Sequence, residues 1–289
     1  MRAWLRTARF GIPTVLGLAK RGFFIPYRYA GLLPAGGPSR CYGAVEERLQ
    51  SRREVFYDWL QRLSRYEAAF AAIGGDPAPA PRWAQSWFPR LDAAMAYGLL
   101  RELKPRLVME VGSGHSTRFL CRAVADGGLE TKILAIDPAP RASLAASGVE
   151  LLRQPLHEAA PAPVERLAAG DFLMIDSSHI LMPGSDVDYL LGHVLPRLPA
   201  GVLVQFHDIF LPDDYPVSWA WRGYNEQQGV LPLILSGDWE VIFASRFVAT
   251  RAKKMLADSV VGSLPLEAEA IESALWLRKL SGADHLTRI

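Results

Sequence analysis

The chain has 289 residues, of which 50% are hydrophobic and 21% are charged, and its formal net charge is +2. These values are typical of a globular protein with a large buried core, in one domain or one domain plus an appendage. The small net charge gives no case for nucleic-acid binding. Cys41 and Cys121, the only cysteines, exclude a disulfide framework and a cysteine zinc site, and they fit a reducing compartment. We therefore expect a cytoplasmic protein.

Residues 1–40 form a basic, aromatic arm interrupted by prolines. Residues 1–45 contain seven Lys and Arg and no acid, which leaves the rest of the chain with a net charge of −5. The arm either packs on its own domain or on a partner subunit of a homo-oligomer, or acts as a peripheral membrane anchor or as a flap over the substrate pocket. We favour packing, since Pro and Gly interrupt any long amphipathic helix. No apolar run is long enough to span a bilayer, and no signal-peptide cleavage site follows residues 10–19.

Residues 46–73 carry hydrophobic side chains three and four positions apart, a pattern that predicts a helix. The Gly-, Pro- and Ala-rich stretch 74–81 predicts a linker. We therefore divide the chain into an arm and helical appendage (1–81) and a main domain (82–289). Trp83, Trp87 and Phe88 precede a helix predicted from about Leu91 to Leu103, and they either line an acceptor pocket or anchor this segment to the core.

The main domain is organised around a glycine-containing turn. The apolar run 107–111 predicts a buried strand, and a helical pattern begins directly after Gly112-Ser113-Gly114. Glycines let the backbone approach a ligand closely, and the helix N-terminus offers free N–H groups. Ser116 and Thr117 are candidate N-caps. This combination predicts a cofactor-binding turn.

Two details argue against a dinucleotide as the cofactor. The third glycine of G-x-G-x-x-G is replaced by Thr117, and Glu110 precedes the first glycine by two residues. A carboxylate there would repel a pyrophosphate but could pair with a cationic ligand. S-adenosylmethionine (SAM) carries an ammonium and a sulfonium group and no phosphate. The pattern Glu110-x-Gly112-x-Gly114-x-Ser116 resembles the first motif of class I, Rossmann-like SAM-dependent methyltransferases. That resemblance implies that SAM contacts Glu110, Gly112, Ser113, Gly114 and Ser116.

Strand–helix units continue along the chain, as a parallel sheet requires. The second strand, 132–137, ends in Asp137, which is positioned to accept hydrogen bonds from both ribose hydroxyls. Further strands are predicted at 149–152, 172–176, 201–208 and 239–244, with a last, antiparallel strand at 273–278, and helices at 187–195 and 227–235. The predicted fold is α/β: a seven-stranded, mostly parallel sheet with helices on both faces.

Titratable side chains recur where these strands end. In open α/β sheets the ligand lies beyond the carboxyl ends of the strands, so their recurrence there predicts a functional site. Asp176 and His179 follow the fourth strand, and His207 and Asp208 end the fifth. Asp176, His207 and Asp208 form a carboxylate–imidazole–carboxylate set that would face the transferred methyl group.

Four stretches, in this order, resemble the class I, Rossmann-like SAM-dependent methyltransferase family over residues 83–280. They are Glu110-Val-Gly-Ser-Gly-His-Ser, Ile136-Asp137, Ile175-Asp-Ser-Ser-His179 and Phe206-His-Asp208. The resemblance is to stand-alone bacterial enzymes. It implies methylation of a small or medium-sized acceptor and favours oxygen as the acceptor atom.

The same set also resembles the metal site of catechol-type and macrolide-sugar-type O-methyltransferases. That resemblance implies a divalent metal on Asp176, His207 and Asp208, although an imidazole suits Mn²⁺ or Fe²⁺ better than Mg²⁺. Equally, His179 or His207, oriented by Asp176 or Asp208, could serve as a metal-free general base.

Two further hypotheses stay open from the sequence. One is an NAD-linked oxidoreductase, against which the missing third glycine counts. The other is a non-catalytic protein of the same fold whose arm binds a membrane or a partner.

Overall fold

The computed structural model describes residues 3–33, 41–140, 148–159 and 161–282, so parts of the predicted arm, residues 1–2 and 34–40, lie outside the described residues. Seven strands are described, numbered β1 to β7 in chain order: Leu107–Val111, Lys132–Ile136, Glu150–Leu152, Phe172–Ile175, Leu203–Phe206, Trp239–Ala244 and Leu275–Lys279. They form one sheet in the order β3-β2-β1-β4-β5-β7-β6.

The first five strands are parallel, and β7 is antiparallel to both of its neighbours, β5 and β6. The buried central strands are continuous apolar runs, because helices cover both faces of a parallel sheet. This arrangement confirms the predicted seven-stranded, mostly parallel α/β sheet. It is not the all-parallel, six-stranded sheet of dinucleotide-binding domains.

Twelve α-helices are described, numbered α1 to α12 in chain order: Ala3–Val15, Gly43–Gln50, Arg53–Leu63, Glu67–Ala72, Arg90–Leu103, His115–Gly127, Leu156–Ala159, Ala162–Glu165, Asp186–Tyr189, Glu226–Leu235, Ser245–Arg251 and Lys253–Ala257. The helical pattern predicted over residues 46–73 is confirmed, and it is divided among α2, α3 and α4. Ser51 and Ser64 each donate a side-chain hydrogen bond to a carbonyl three residues earlier, at the points where α2 and α3 end.

The helix predicted over residues 187–195 is only partly α-helical. After α9 the chain continues as a π turn, Leu190–Val194, and then as a 3₁₀ turn, Leu195–Arg197. Pro196 has no N–H group to continue an α-helical hydrogen-bond pattern, which accounts for the change.

The appendage packs into the same hydrophobic core as the sheet. Phe56 of α3 contacts Phe243 and Phe247 edge-to-face, with ring centroids 5.5 and 5.9 Å apart. Arg52 donates to the carbonyl of Val241 on the edge strand β6 at 3.0 Å. The sequence pattern therefore changes at residue 81, but the hydrophobic core is continuous across this boundary.

The aromatic segment before α5 is divided between core and surface. The indole of Trp83 is buried, donates to the carbonyl of Phe70 at 2.9 Å and packs on Phe119. Phe88 is buried with its ring centroid 5.4 Å from that of His207, whereas Trp87 is exposed. Trp83 and Phe88 thus anchor the segment, and Phe88 also covers one side of a titratable residue at the sheet edge.

Within the residues that the structure describes, no helix is both long enough and apolar enough to cross a bilayer. Neither Cys41 nor Cys121 forms a disulfide bond in the described part of the chain.

Candidate active site

The turn after β1 lies directly against the end of β4. Gly112 has φ +94°, a conformation that side chains rarely adopt, and a Cβ built on it would lie 2.2 Å from the carbonyl oxygen of Asp176. The backbone N–H of Asp176 in turn donates to the carbonyl of Val111 at 2.9 Å. Only glycine fits here, because both the backbone conformation and the close approach exclude a larger residue. The predicted cofactor turn and Asp176 therefore form one contiguous surface.

Glu110 is buried beneath this turn, where it accepts hydrogen bonds from the hydroxyls of Ser116 and Thr117. Burial raises the pKa of Glu110 to about 7, although the two hydroxyl hydrogen bonds oppose the rise. The prediction that Ser116 or Thr117 caps the helix is wrong: α6 begins at His115, with Gly114 in the capping position. Both hydroxyls donate hydrogen bonds to the buried carboxylate of Glu110, and these bonds hold the first turn of α6 against β1.

Asp137 follows β2 and contacts the glycine turn on the side opposite to Asp176. The hydroxyl of Ser113 donates to Oδ2 of Asp137 at 2.7 Å, and the N–H of Ala139 donates to Oδ1 at 2.8 Å. The carboxylate is partly exposed at the sheet edge, where a ligand can reach it. The six predicted cofactor residues thus lie together, and ribose binding by Asp137 stays a prediction.

Four titratable side chains predicted from the ends of β4 and β5 meet in one cluster. Nε2 of His179 lies 3.2 Å from Oδ1 of Asp176 and 3.6 Å from Oδ2 of Asp208. Nδ1 of His207 lies 3.5 Å from Oδ1 of Asp208 and 3.7 Å from Oδ1 of Asp176. Both imidazoles and Asp208 are buried, whereas the side chain of Asp176 is 43% exposed. Asp176 is therefore the member of the cluster that an incoming molecule meets first.

Two further carboxylates, which sequence reasoning missed, lie behind the imidazoles. Nδ1 of His179 is 2.8 Å from Oε2 of Glu226, at the start of α10, and Nε2 of His207 is 3.5 Å from Oδ2 of Asp92 in α5. Asp92 also accepts the backbone N–H groups of Ser273 and Ala274. An acid in the first turn of a helix is an ordinary feature of helix starts, so nothing in the sequence pointed to either residue as part of a site.

The charges of the cluster shift its pKa values in opposite directions. Burial would lower the pKa of His179, but its hydrogen bonds to Asp176 and Glu226 raise it well above the usual range. Burial likewise opposes the rise at His207, whose pKa the charges of Asp208 and Asp176 hold high. Enclosure would raise the pKa of Asp176, yet His207 and His179 together hold it far below the ordinary value. The site is thus a chain of alternating carboxylates and imidazoles, in which the carboxylates favour the protonated form of the two rings.

The backbone is strained where two members of the cluster sit. His179 has φ +60° and Asp208 has φ +54°, left-handed conformations that non-glycine residues seldom adopt. The carbonyl of His179 accepts the N–H of Asn225 at 3.1 Å, which helps to hold the conformation. Strain of this kind persists where the surroundings fix it, and it concentrates at functional sites.

Aromatic side chains border the cluster on the side of the loop that follows Asp208. The ring of Tyr224 lies 4.5 Å from that of His179. Arg222 donates to the hydroxyl of Tyr224 at 3.1 Å, and its guanidinium lies over the ring of Trp219 at 4.0 Å. An acceptor entering beside His179 would therefore contact aromatic rings and a cation.

Taken together, the sheet order, the glycine turn after β1, the acid at the end of β2 and the cluster after β4 and β5 define a Rossmann-like, class I methyltransferase fold. Residues 109–209, which hold the turn and most of the cluster, match a family model described as a methyltransferase domain. This stretch of the chain is therefore a methyltransferase domain, and the match counts against the NAD-linked alternative.

Solved structures of methyltransferases are similar to this chain at low sequence identity. The S-adenosylhomocysteine (SAH)-bound methyltransferase PaMTH1 of Podospora anserina is 16% identical, with a TM-score of 0.41, and the match covers 89% of this chain and 99% of that one. The O-methyltransferase of Bacillus cereus in complex with SAH is 13% identical, with a TM-score of 0.40, over 96% of this chain and 99% of that one. None of the curated proteins matches the chain.

Proposed function

We propose that this enzyme transfers the methyl group of SAM to an oxygen of a small or medium-sized acceptor, and that the cluster at the ends of β4 and β5 handles the proton of the acceptor hydroxyl. The observation that carries the proposal is the contact between Gly112 and the carbonyl of Asp176, which joins the cofactor turn to the cluster. Methyl transfer is an in-line displacement, so the acceptor atom must lie next to the sulfonium methyl. Asp176 borders that position.

Removal of the acceptor proton is supported by the carboxylates that lie beside the ring nitrogens of His179 and His207. A carboxylate on one ring nitrogen orients an imidazole and stabilises its charged form, the role that a buried acid has beside a catalytic histidine. Glu226 does this for His179, whose other nitrogen faces Asp176. When His179 is neutral, its Nε2 can take the proton of an acceptor hydroxyl that lies beside Asp176. Asp176 and Glu226, one on each side of the ring, would then stabilise the imidazolium ion that forms.

A divalent metal is the second candidate, and one observation favours it. Histidines that ligate metals usually present their other nitrogen to a carboxylate, as both His179 and His207 do. Asp176, His207 and Asp208, with His179, would hold the ion, which would lower the pKa of a coordinated hydroxyl. As the structure stands, however, no group of three or more His, Cys, Asp or Glu among the described residues is arranged to hold a metal. The donor types suit Mn²⁺ or Fe²⁺, whereas the present spacing is that of imidazole–carboxylate ion pairs.

Calorimetry and a transfer assay test these statements in sequence. SAM and SAH should bind the purified protein and NAD should not, and the reverse result would refute the cofactor assignment. Asp176→Asn should bind SAH like the wild type but lose methyl transfer to those hydroxyl compounds that the wild type methylates. His193→Gln, a change outside the cluster, is the control. Metal analysis of the purified protein, with transfer rates before and after chelation, then separates the two candidates.

A further inference from the structure

The segment 5–33 exposes an unusual amount of apolar side chain. In the described part of the chain, twenty large hydrophobic side chains are exposed, and twelve of them belong to this segment. They are Leu5, Ile12, Val15, Leu16, Leu18, Phe23, Phe24, Ile25, Tyr27, Tyr29, Leu32 and Leu33. Contiguous apolar surface of this kind marks an interaction site, because a monomeric protein in water rarely exposes it.

The same segment is positively charged. Arg9, Lys20, Arg21 and Arg28 are all exposed, and none of them takes part in an ion pair among the described residues. The first acid of the chain is Glu46, and the remainder of the protein has a net charge of −5. The molecule is therefore strongly dipolar, with its positive end on the segment that carries the exposed apolar side chains.

We propose that residues 5–33 bind the surface of a membrane that contains anionic lipids. Side chains such as Phe23, Phe24 and Ile25 can bury themselves at the boundary between headgroups and acyl chains, while neighbouring Lys and Arg side chains meet the lipid phosphates. Tyrosine is well suited to this depth, since its ring is apolar and its hydroxyl is polar. No helix of the described residues can span a bilayer, so this contact is peripheral.

Charge complementarity favours lipid over the same segment of a second copy as the occupant. In a two-fold contact through this segment, each copy would present the same basic, acid-free surface to the other. The exposed cations would then face like charges. An anionic bilayer offers both the apolar interior and the counter-charge that the segment lacks.

The segment joins the fold beside the active site. After it, the backbone N–H of Tyr42 donates to the carbonyl of Pro212 at 2.8 Å, and Cys41 forms an isolated β-bridge with Asp213. Pro212 and Asp213 belong to the loop that follows Asp208. A membrane contact made by residues 5–33 is thus attached to the loop at the carboxyl edge of the sheet.

Co-sedimentation of the full-length protein with vesicles tests the charge contribution. Vesicles of phosphatidylcholine mixed with phosphatidylglycerol should bind the protein at low salt, and vesicles of phosphatidylcholine alone should bind it much more weakly. Lys20→Glu with Arg21→Glu should lower the partition coefficient at least about tenfold, because each basic residue near an anionic surface contributes about 1 kcal/mol. Arg53→Glu with Lys253→Glu changes the net charge equally, at exposed positions outside the segment, and should have little effect.

A second pair of variants tests the apolar contribution. Phe23→Ser with Phe24→Ser should weaken binding in low and in physiological salt, since apolar burial is not screened. Leu266→Ser with Leu280→Ser is the control at exposed positions elsewhere. SAH binding and the melting temperature should stay unchanged in every variant, which shows that the fold is intact.

Three outcomes would overturn the proposal. The first is that the wild type sediments with neither kind of vesicle. The second is that a control pair reduces binding as strongly as the segment variants do. The third is that light scattering shows the segment variants to dissociate an oligomer that binds no vesicles, which would make the segment a subunit contact. Because none of these assays depends on methyl transfer, their failure is distinguishable from failure of the proposed function.

Discussion

Replacing Gly112 by alanine should disrupt the contact that joins the cofactor turn to β4. The new Cβ would lie 2.2 Å from the carbonyl oxygen of Asp176, far inside the roughly 3.5 Å of an ordinary contact, and φ at this position is +94°. A left-handed conformation costs a non-glycine residue about 1–2 kcal/mol, and overpacking costs about 1–3 kcal/mol. We therefore expect the free energy of unfolding to fall by about 2–5 kcal/mol.

Gly114 provides a matched control two residues away. A Cβ built on Gly114 meets no atom within 4 Å, so Gly114→Ala should cost less than about 1 kcal/mol. Urea unfolding followed by circular dichroism measures both variants, and calorimetry with SAH reports whether the turn still binds its ligand. Equal destabilisation by the two substitutions, or an unfolding free energy of Gly112→Ala close to that of the wild type, would refute the steric argument.

Three further predictions concern the titratable groups. Folding raises the pKa of Glu110 from 4.5 to about 7, so the folded state favours the protonated carboxyl. The stability of the wild type relative to Glu110→Gln should therefore fall by about 3 kcal/mol between pH 4.5 and 7, as measured by urea titrations. A constant difference over this range would contradict that pKa. The raised pKa of His179 contributes stability that is fully present below pH 6.5 and is lost as the pH rises through the folded value, so the advantage of the wild type over His179→Gln should shrink in alkaline buffer. Glu226→Gln should lower the pKa of His179, because the substitution removes a negative charge 2.8 Å from Nδ1. NMR titration of the histidines measures this shift, and an unchanged titration curve for His179 would count against the contact.

The sequence predicted the sheet and the cofactor turn well because both depend on local patterns. Apolar runs that end in Gly112 or in Asp137 define a strand and its terminus with a few neighbouring residues, and all seven strands were found within a few residues of their observed ends. The helical pattern over residues 46–73 was found as well, but its division into α2, α3 and α4 was not. Hydrophobic spacing persists across all three helices, whereas the ends of α2 and α3 are marked only by Ser51 and Ser64, whose hydroxyls donate to carbonyls three residues earlier.

The active-site cluster was predictable only in part. Asp176, His179, His207 and Asp208 follow adjacent strands, so topology alone brings them to one edge. Their partners Glu226 and Asp92 come from helices that are distant in sequence, and only the tertiary packing shows that they face the imidazoles. The hydroxyls of Ser116 and Thr117 likewise bond to Glu110, a partner that only the tertiary structure shows, and the hydroxyl of Thr117 also accepts the backbone N–H of Gly114 at the start of the helix.

The position of β7 has a consequence for the order of folding during synthesis. This strand, residues 275–279, lies between β5 and β6 and bonds to both, although β6 precedes it in the chain by more than thirty residues. While a ribosome is still translating the region before residue 275, the nascent sheet has an unfilled gap, and β5 and β6 each present an unpaired edge. Such edges invite pairing with other chains, so the emerging polypeptide should depend on chaperones until its last strand is released.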